Sequence, residues 1–243
     1  MTMRSKKAAF FFDLDNTLFD YEASFKKASL FAFRCIFSLG DNNKKLEEKW
    51  FPHYKSYCDL YWYAYEKAWI TRKEYQRKRL ASSLHAVGIK NFSDKEIQQY
   101  QQHFEENIHH FVEPYPWIKE IIQLLKLKKI TYGIISNGEA AVQRNKIKHL
   151  ACDIPEKHIY ISSEIKVAKP SPEIFHVVRK SVKASAFYYV GDSYSLDIIP
   201  AVQAEWTAIW WNPSMLSVTH DKVLYHNCFS SDELIEIITR CIE

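Results

Sequence analysis

The run Ala8-Ala9-Phe10-Phe11-Phe12, followed at once by Asp13-Leu14-Asp15-Asn16-Thr17-Leu18-Phe19, constrains this chain more than any other feature. Five consecutive apolar residues are too few for a membrane span and suit a strand buried on both faces of a parallel sheet. Such a sheet carries helices on both sides, and its ligands gather outside the carboxyl ends of the strands. Asp13 and Asp15 stand at such an end, and alternation turns residues two apart to the same side. Two carboxylates in a small site repel unless one is protonated or a cation lies between them. The spacing therefore points either to an acid/base pair or to a Mg²⁺ site. Average residue usage yields Asp-x-Asp-x-Thr by chance in roughly one chain of this length in twenty-five, so the motif needs support from elsewhere in the sequence.

Three further segments supply that support. Thr131 to Ile135 is a second apolar run and ends in Ser136-Asn137-Gly138, ahead of a helix expected from Glu139 to Leu150. A hydroxyl, an amide and backbone N–H groups there can bind a phosphate oxygen, aided by the helix dipole; an ordinary Asn-Gly turn is the alternative. Lys169 precedes Pro170 and Ser171, which open another helix, so it is either a fixed cation near the crevice or a solvated surface lysine. Ala186 to Val190 leads into Gly191-Asp192-Ser193. Gly191 permits a tight turn there, and Asp192 either projects toward the same crevice or caps the next helix.

All four segments in this order, each at the edge of a βα unit, resemble the haloacid dehalogenase superfamily of hydrolases, most of which are phosphatases. The likeness runs the length of the chain. It implies that Asp13 is a nucleophile forming an aspartyl-phosphate, ionised at neutral pH if its pKa is near the ordinary value of about 3.9. Asp15 becomes the general acid for the leaving alkoxide and then the base for water, Thr17 and Ser136 bind phosphoryl oxygens with the backbone around Asn137, and Lys169 neutralises charge. Asp13, Asp192 and the backbone carbonyl of Asp15 become ligands of Mg²⁺, with Asp197 in a supporting hydrogen-bond role. The superfamily's dehalogenases attack carbon without a metal and lack an aspartate at the Asp15 position. Phosphoryl transfer is accordingly the reading expected here.

The chain has 243 residues, enough for one α/β core with a modest insertion. Its hydrophobic content of 47% and charged content of 26% are those of a globular protein, and the formal charge of +4 with dispersed Lys and Arg gives no warrant for a nucleic-acid polymer as partner. Cys35, Cys58, Cys152, Cys228 and Cys241 have no metal-ligand spacing and fit reduced thiols in a cytoplasmic protein. The basic stretch Met1 to Lys7 before an apolar run looks superficially like a signal peptide, but Asp13 and Asp15 cut the run short. No membrane partner is expected, and the oligomeric state is not legible.

After the first strand, the βαβ rhythm stops for about ninety residues. From Tyr21 to Phe111 the pattern is helical, over Ser24 to Leu39, Leu46 to Trp69, Arg72 to Val87 and Asp94 to His109, with Thr71 and Ser93 as caps and a capping box at Ser93-x-x-Glu96. The rhythm then returns in helices at Tyr115 to Lys128, Ser171 to Val182, Leu196 to Ala204 and Ser231 to Cys241, and strands at His158 to Ser162 and Thr207 to Trp211. The expected architecture is a three-layer, Rossmann-like α/β core with a mostly parallel sheet, residues 1–19 and 113–243, plus an inserted all-helical cap domain, residues 20–112. The resemblance makes this a class 1 cap that closes over the site, excludes water and reads the leaving group.

The cap is rich in aromatic residues, and Tyr54, Tyr57, Tyr61 and Tyr65 share one helical face. That stripe is expected to be cap core, or else to offer one or two rings to a flat leaving group. Arg72, Arg77 and Arg79 are expected to be solvated unless one reaches substrate. A narrower likeness rests on Asp13-Leu14-Asp15-Asn16-Thr17-Leu18, Ser136-Asn137-Gly138 and Gln143-Arg144-x-Lys146-Ile147, which together resemble the pyrimidine nucleoside monophosphate 5′-nucleotidases of the superfamily. Two departures concern the fold: Pro200 stands where relatives often have glycine, and Glu205 ends the last motif's helix where they often have Ala-Gly. A left-handed Glu205 costs roughly 1 to 2 kcal/mol, so a differently built turn is expected. The resulting expectation is a Mg²⁺-dependent phosphatase acting on a small phosphorylated metabolite, with a nucleoside monophosphate as the first substrate class to test. A sugar-phosphate phosphatase, a phosphomutase and a non-catalytic phosphate-binding regulator are its rivals.

Overall fold

The computed structural model describes residues 7–37, 43–218 and 224–242. Met1 to Lys6 of the basic leader and Leu39 of the first expected helix lie outside them. Two compact units result, one built from the described residues up to Tyr21 and from Val112 onward, the other from Glu22–Phe111.

The first unit begins with β1 (Ala8–Phe12) and resumes with α5 (Trp117–Leu127), after the four helices of the second unit, α1 (Tyr21–Phe37), α2 (Asn43–Glu66), α3 (Arg72–Ala86) and α4 (Asp94–Asn107). It continues with β2 (Thr131–Ser136), α6 (Ala140–His149), β3 (Ile159–Ile161), the single turn α7 (Ser162–Ile165), α8 (Glu173–Ser181), β4 (Ala186–Gly191), α9 (Ile199–Gln203), β5 (Thr207–Trp211), β6 (His226–Cys228) and α10 (Ser231–Ile242). The six strands form one sheet in the order β3-β2-β1-β4-β5-β6 with every pair parallel. This is the parallel α/β fold that the apolar runs predict. The sequence pattern misses β6, because His-Asn-Cys carries no apolar run, and α7, because one turn has no periodicity.

Alternation along β1 builds both faces. Phe10 and Phe12 join one core with residues of α5, α6 and α10, and Ala9 and Phe11 join the other with residues of α8 and α9. All three phenylalanines are fully buried, as a central strand covered on both sides requires. The chain runs outward from β1 to β2 and β3, then returns to place β4 on the other side of β1. Strand order reverses between β1 and β4, and ligand crevices open at that point in such sheets. Phe12 pairs with both Ile134 and Val190, which brings the ends of β1, β2 and β4 side by side.

The turn at Glu205 corrects the expectation of a different construction: Glu205 adopts the left-handed conformation, at φ 60°. Arg179 Nη2 donates to the carbonyls of Ala204 and Glu205, at 3.1 and 2.9 Å, and Trp206 N–H donates to Ala201 O at 2.9 Å, so hydrogen bonds offset the strain. Pro200 is the second residue of α9, directly after the π-turn Tyr194–Ile198.

In the second unit, capping boxes open both α3, at Thr71 and Glu74, and α4, at Ser93 and Glu96. Its core stacks Trp50 on Phe33 and on Tyr54, with centroids 4.2 and 4.8 Å apart. The tyrosine stripe only partly meets expectation: Tyr54 is fully buried, whereas Tyr57, Tyr61 and Tyr65 are half-buried and Trp62, Tyr63 and Trp69 are exposed. Arg79 is not solvated. It lies buried with its guanidinium 5.3 and 4.7 Å from the rings of Tyr54 and Tyr75, and Gln101 Oε1 accepts from it at 3.3 Å. Aromatic faces there replace part of the water that the charge loses. Arg72 and Arg77 pair with Glu105 and Asp94.

Gly133 in β2 tests how closely the sheet is packed. A Cβ at this position would lie 2.2 Å from the backbone oxygen of His158 and 2.6 Å from the ring of Phe11. Gly133→Ala should therefore destabilise the protein by about 3 kcal/mol, toward the upper end for overpacked sites, read as a lower urea midpoint; an unchanged midpoint would show that this contact relaxes freely.

Candidate active site

The loop after β1 is shaped by its own residues. Leu14, Leu18 and Phe19 turn into the core, Leu18 N–H donates to Leu14 O at 2.9 Å, and Asn16 takes the left-handed conformation at φ 59°. Asparagine tolerates that region better than most residues, and its Oδ1 here accepts from Tyr21 N–H at 3.0 Å. Asp13 is thereby held beside β4, its N–H donating to Val190 O at 2.8 Å, while Asp15 stands farther out with a side chain 27% exposed.

Asp13 meets Lys169 from the loop before α8. The buried ammonium donates to Asp13 Oδ1 and Asp197 Oδ1, each at 2.6 Å, and to Tyr189 Oη at 2.8 Å, so all three of its protons have acceptors. Asn137 fixes the Lys169 backbone from the end of β2: its Nδ2 donates to Lys169 O at 2.8 Å and its Oδ1 accepts from Lys169 N–H at 2.9 Å. Asp197 lies in a π-turn, Tyr194–Ile198, that opens the helical segment after β4. Its Oδ2 accepts from Ser193 N–H at 2.9 Å. Its carboxyl packs on Gly191, where an added Cβ would come within 2.5 Å of Asp197 Cγ. Gly191 is thus required by a close approach; it does not show the positive φ that a special turn would need.

Thr17 is fully buried and its hydroxyl donates to Asp192 Oδ1 at 3.3 Å. Ser136 Oγ accepts from Gln143 Nε2 at 2.7 Å. Two donors expected at the Asn-Gly turn are already engaged, since Gly138 N–H donates to Ser162 Oγ at 3.0 Å and Ala140 N–H to Ser163 Oγ at 2.9 Å. The unforeseen turn α7 supplies both hydroxyls. Asp15 also has unforeseen partners: Lys146 Nζ lies 2.8 and 2.9 Å from its two oxygens, and Gln143 Nε2 donates to Oδ2 at 3.1 Å. Tyr189 was hidden as one more aromatic in an apolar strand. Gln143 and Lys146 enter the sequence reading only as part of the narrower likeness, with no partner assigned, although their spacing of three, on one helix face, was a usable signal.

Asp13, Asp192 and Asp197 bring one carboxylate oxygen each within 4.8 Å of one another. Burial pushes the Asp13 carboxyl well above the usual range; Lys169 opposes this, and Asp197, Asp192 and Asp15 add to it. The expected ionised Asp13 therefore needs more positive charge than Lys169 supplies. Asp192 is pushed up to about 7, first by burial and then by Asp197. Burial alone would lower the Lys169 pKa, but Asp13 and Asp197 more than offset this and raise it, so the lysine stays charged. A buried set of hard oxygen donors that resist shared ionisation fits a divalent cation such as Mg²⁺. Both oxygens of Asp197 are engaged by Lys169 and Ser193, which leaves Asp13 and Asp192 the better placed to ligate.

A carboxyl whose folded pKa is raised binds protons more tightly when folded, so its contribution to stability is present below the unfolded value near 4 and is lost as pH rises through about 7. In EDTA the melting temperature should fall between pH 5 and pH 8, Mg²⁺ should raise it more at pH 8, and Asp192→Asn should flatten the slope. Differential scanning fluorimetry reads all three, and a pH-independent melt that Mg²⁺ leaves unmoved would contradict the assignment.

A family model described as haloacid dehalogenase-like hydrolase matches residues 54–211. The chain is 25% identical over 230 residues to the HAD-hydrolase YfnB of Bacillus subtilis, covering 93% of each chain. It is 23% identical over 206 residues to the pyrimidine 5′-nucleotidase YjjG of Escherichia coli, covering 83% of this chain and 84% of that one. A 92-residue stretch, 36% of this chain and 38% of the relative, is 37% identical to a glyceraldehyde 3-phosphate phosphatase of Pyrococcus furiosus. Among solved structures, magnesium-bound YfnB of Bacillus subtilis superposes with a TM-score of 0.74 at 22% identity, covering 96% and 99% of the two chains. A 2-haloacid dehalogenase of Pseudomonas syringae superposes at 0.59 and 26%, covering 97% and 99%.

Proposed function

Because the chain belongs to the haloacid dehalogenase-like hydrolases, we propose that it is a Mg²⁺-dependent phosphomonoester hydrolase working through an aspartyl-phosphate. The observation that carries this reading is the buried Asp13 carboxylate, hydrogen-bonded to Lys169 and grouped with Asp192, with a second carboxylate, Asp15, two residues along the loop. Carbon–halogen cleavage has no use for a proton donor at Asp15, whereas a departing alkoxide does.

In the proposed reaction an Asp13 oxygen attacks phosphorus and the bond from phosphorus to the leaving oxygen breaks, while Asp15 gives that oxygen a proton. Asp15 then takes a proton from water, whose oxygen attacks the same phosphorus and displaces the Asp13 carboxylate. Lys169 holds Asp13 in place and offsets negative charge as it transfers. Asp13 and Asp192, with the Asp15 backbone carbonyl, would hold Mg²⁺, which when bound supplies charge neutralisation that two lysines cannot give to four carboxylates and a phosphate. Thr17 and Tyr189 keep Asp192 and Lys169 placed. Release of inorganic phosphate from Ser136 and the turn at Asn137 completes the cycle.

A nucleoside monophosphate is the first substrate class proposed, supported by the likeness to YjjG, a pyrimidine 5′-nucleotidase, over most of the chain. A phosphorylated sugar is the second reading, supported by the locally higher identity to glyceraldehyde 3-phosphate phosphatases. Phosphate release from a panel of both classes, with Mg²⁺ and with EDTA, tests the proposal. Wild-type protein should release phosphate only with the metal, and Asp13→Asn should lower kcat by at least about 10⁴-fold while melting as a folded protein. Retained turnover in the variant would remove the covalent mechanism, and no release by the wild type from any ester would remove the phosphatase reading.

A further inference from the structure

Helix α6 reaches the Asp15 carboxylate with two buried side chains. Lys146 and Gln143 are both nearly inaccessible, three residues apart and so on one face, and together they contact both oxygens of Asp15. Gln143 Nε2 also donates to Ser136 Oγ at 2.7 Å and to Asn137 O at 3.1 Å, tying Asp15 to the end of β2. Lys146 is packed under aromatic rings that flank the end of the Asp15 loop, 4.7 Å from the centroid of Tyr21, the first residue of α1, and 5.9 Å from that of Phe19. An ammonium in this setting has little freedom to follow a moving carboxylate.

Stability is a weak reason for such a pair. Taking an ammonium and a carboxylate out of water is costly, and a buried ion pair often does no better than apolar side chains of the same volume. The pair's geometry has a clearer use. Asp15 sits on a loop beyond its strand, and loops hold a side chain less firmly than a helix does. A group that must deliver a proton to one oxygen loses about 10²-fold in rate for a misplacement near 1 Å.

We infer that Lys146 and Gln143 are positioning residues that fix the Asp15 carboxylate at the place from which it serves the leaving group. The inference rests on the proposed phosphatase reading for the service and on the structure alone for the placement. In the step that expels the leaving group, it restricts the pair's influence to esters whose leaving oxygen needs a proton; the water step that follows uses Asp15 whichever ester is cleaved. An alkyl phosphate is such an ester, and p-nitrophenyl phosphate is not, because its phenolate is a far weaker base than an alkoxide.

The experiment compares wild type with Lys146→Met, Lys146→Arg and Gln143→Met, each in the full chain with Mg²⁺, on a nucleoside monophosphate and on p-nitrophenyl phosphate. Lys146→Met should lower kcat/KM, which reports the step in which the leaving oxygen departs, about 10²-fold for the alkyl ester and less than about 5-fold for the nitrophenyl ester. Lys146→Arg should recover part of the loss, and Gln143→Met should show the same selectivity at smaller size. Equal losses of kcat/KM on both esters, or none, would overturn the inference. Crystal structures of wild type and the variants give a readout that does not depend on turnover. The Asp15 carboxylate should leave its wild-type position in Lys146→Met, or in Gln143→Met if the first variant fails to fold. An unmoved carboxylate would overturn the placement even if activity fell. A wild type inactive on both esters would remove the phosphatase reading, and the crystallographic comparison would still decide whether α6 places Asp15.

Discussion

The Lys169 ammonium, buried against Asp13, Asp197 and Tyr189, is the interaction on which the rest of the site depends. Its three acceptors come from the end of β1, the π-turn after β4 and the middle of β4, so one cation joins the segments on both sides of the point where strand order reverses. Removing a charge from water is tolerable only with every proton engaged, and here every proton is. Other features follow from that need. Gly191 has no Cβ because Asp197 must lie against it, and Asn137 spends its side chain on the Lys169 backbone. Tyr189 has to be a tyrosine to offer a hydroxyl that also bonds Ile135 O at 3.0 Å.

What the sequence made legible follows from where its signals are local. Strands covered on both faces announce themselves as apolar runs, and the polar residue that ends such a run is easily seen, which is how Asp13, Ser136 and Asp192 stand out. Lys169 was legible only as a cation on a loop, since its acceptors lie 156 and 28 residues away in the chain. Tyr189 was hidden for a different reason, since a tyrosine within an apolar strand reads as core. Gln143 and Lys146 stood out in the sequence only as part of the segment that resembles the nucleotidases, and the fold alone shows that α6 turns that face toward Asp15. Arg79 was misjudged because an arginine on a helix ordinarily looks solvated, while two tyrosine rings lie against it in space. At Glu205 a sound local rule gave the wrong expectation, since hydrogen bonds from Arg179, 26 residues away, outweigh the local strain.

Asp13 and Asp15 illustrate how one residue type comes to occupy two environments two positions apart. Asp13 ends the buried strand, shares its lysine with Asp197 and is crowded by further carboxylates, which makes its own ionisation costly. Asp15 lies past Leu14, which anchors the loop in the core, and has Lys146 to itself with Gln143 beside it. Environments that differ in this way are how two carboxylates of one site take different parts in a reaction.

Charge then links the two halves. Asp13, Asp15, Asp192 and Asp197 face Lys146 and Lys169, a formal excess of two negative charges when all are ionised. A phosphate monoester brings up to two more, and at a separation near 4 Å each like-charge pair costs about 4 kcal/mol at an effective dielectric of 20. Protonation can relieve that repulsion, but a protonated Asp13 has surrendered its nucleophilic electron pair. In the proposed reaction a divalent cation would relieve it while leaving Asp13 able to attack, so the crowding that raises the Asp13 pKa would also make activity depend on a metal. The helix-borne pair at Asp15 belongs to the same balance of charge: Lys146 neutralises the outer carboxylate locally, and a cation in the proposed site would be left to serve Asp13, Asp192 and the phosphoryl group.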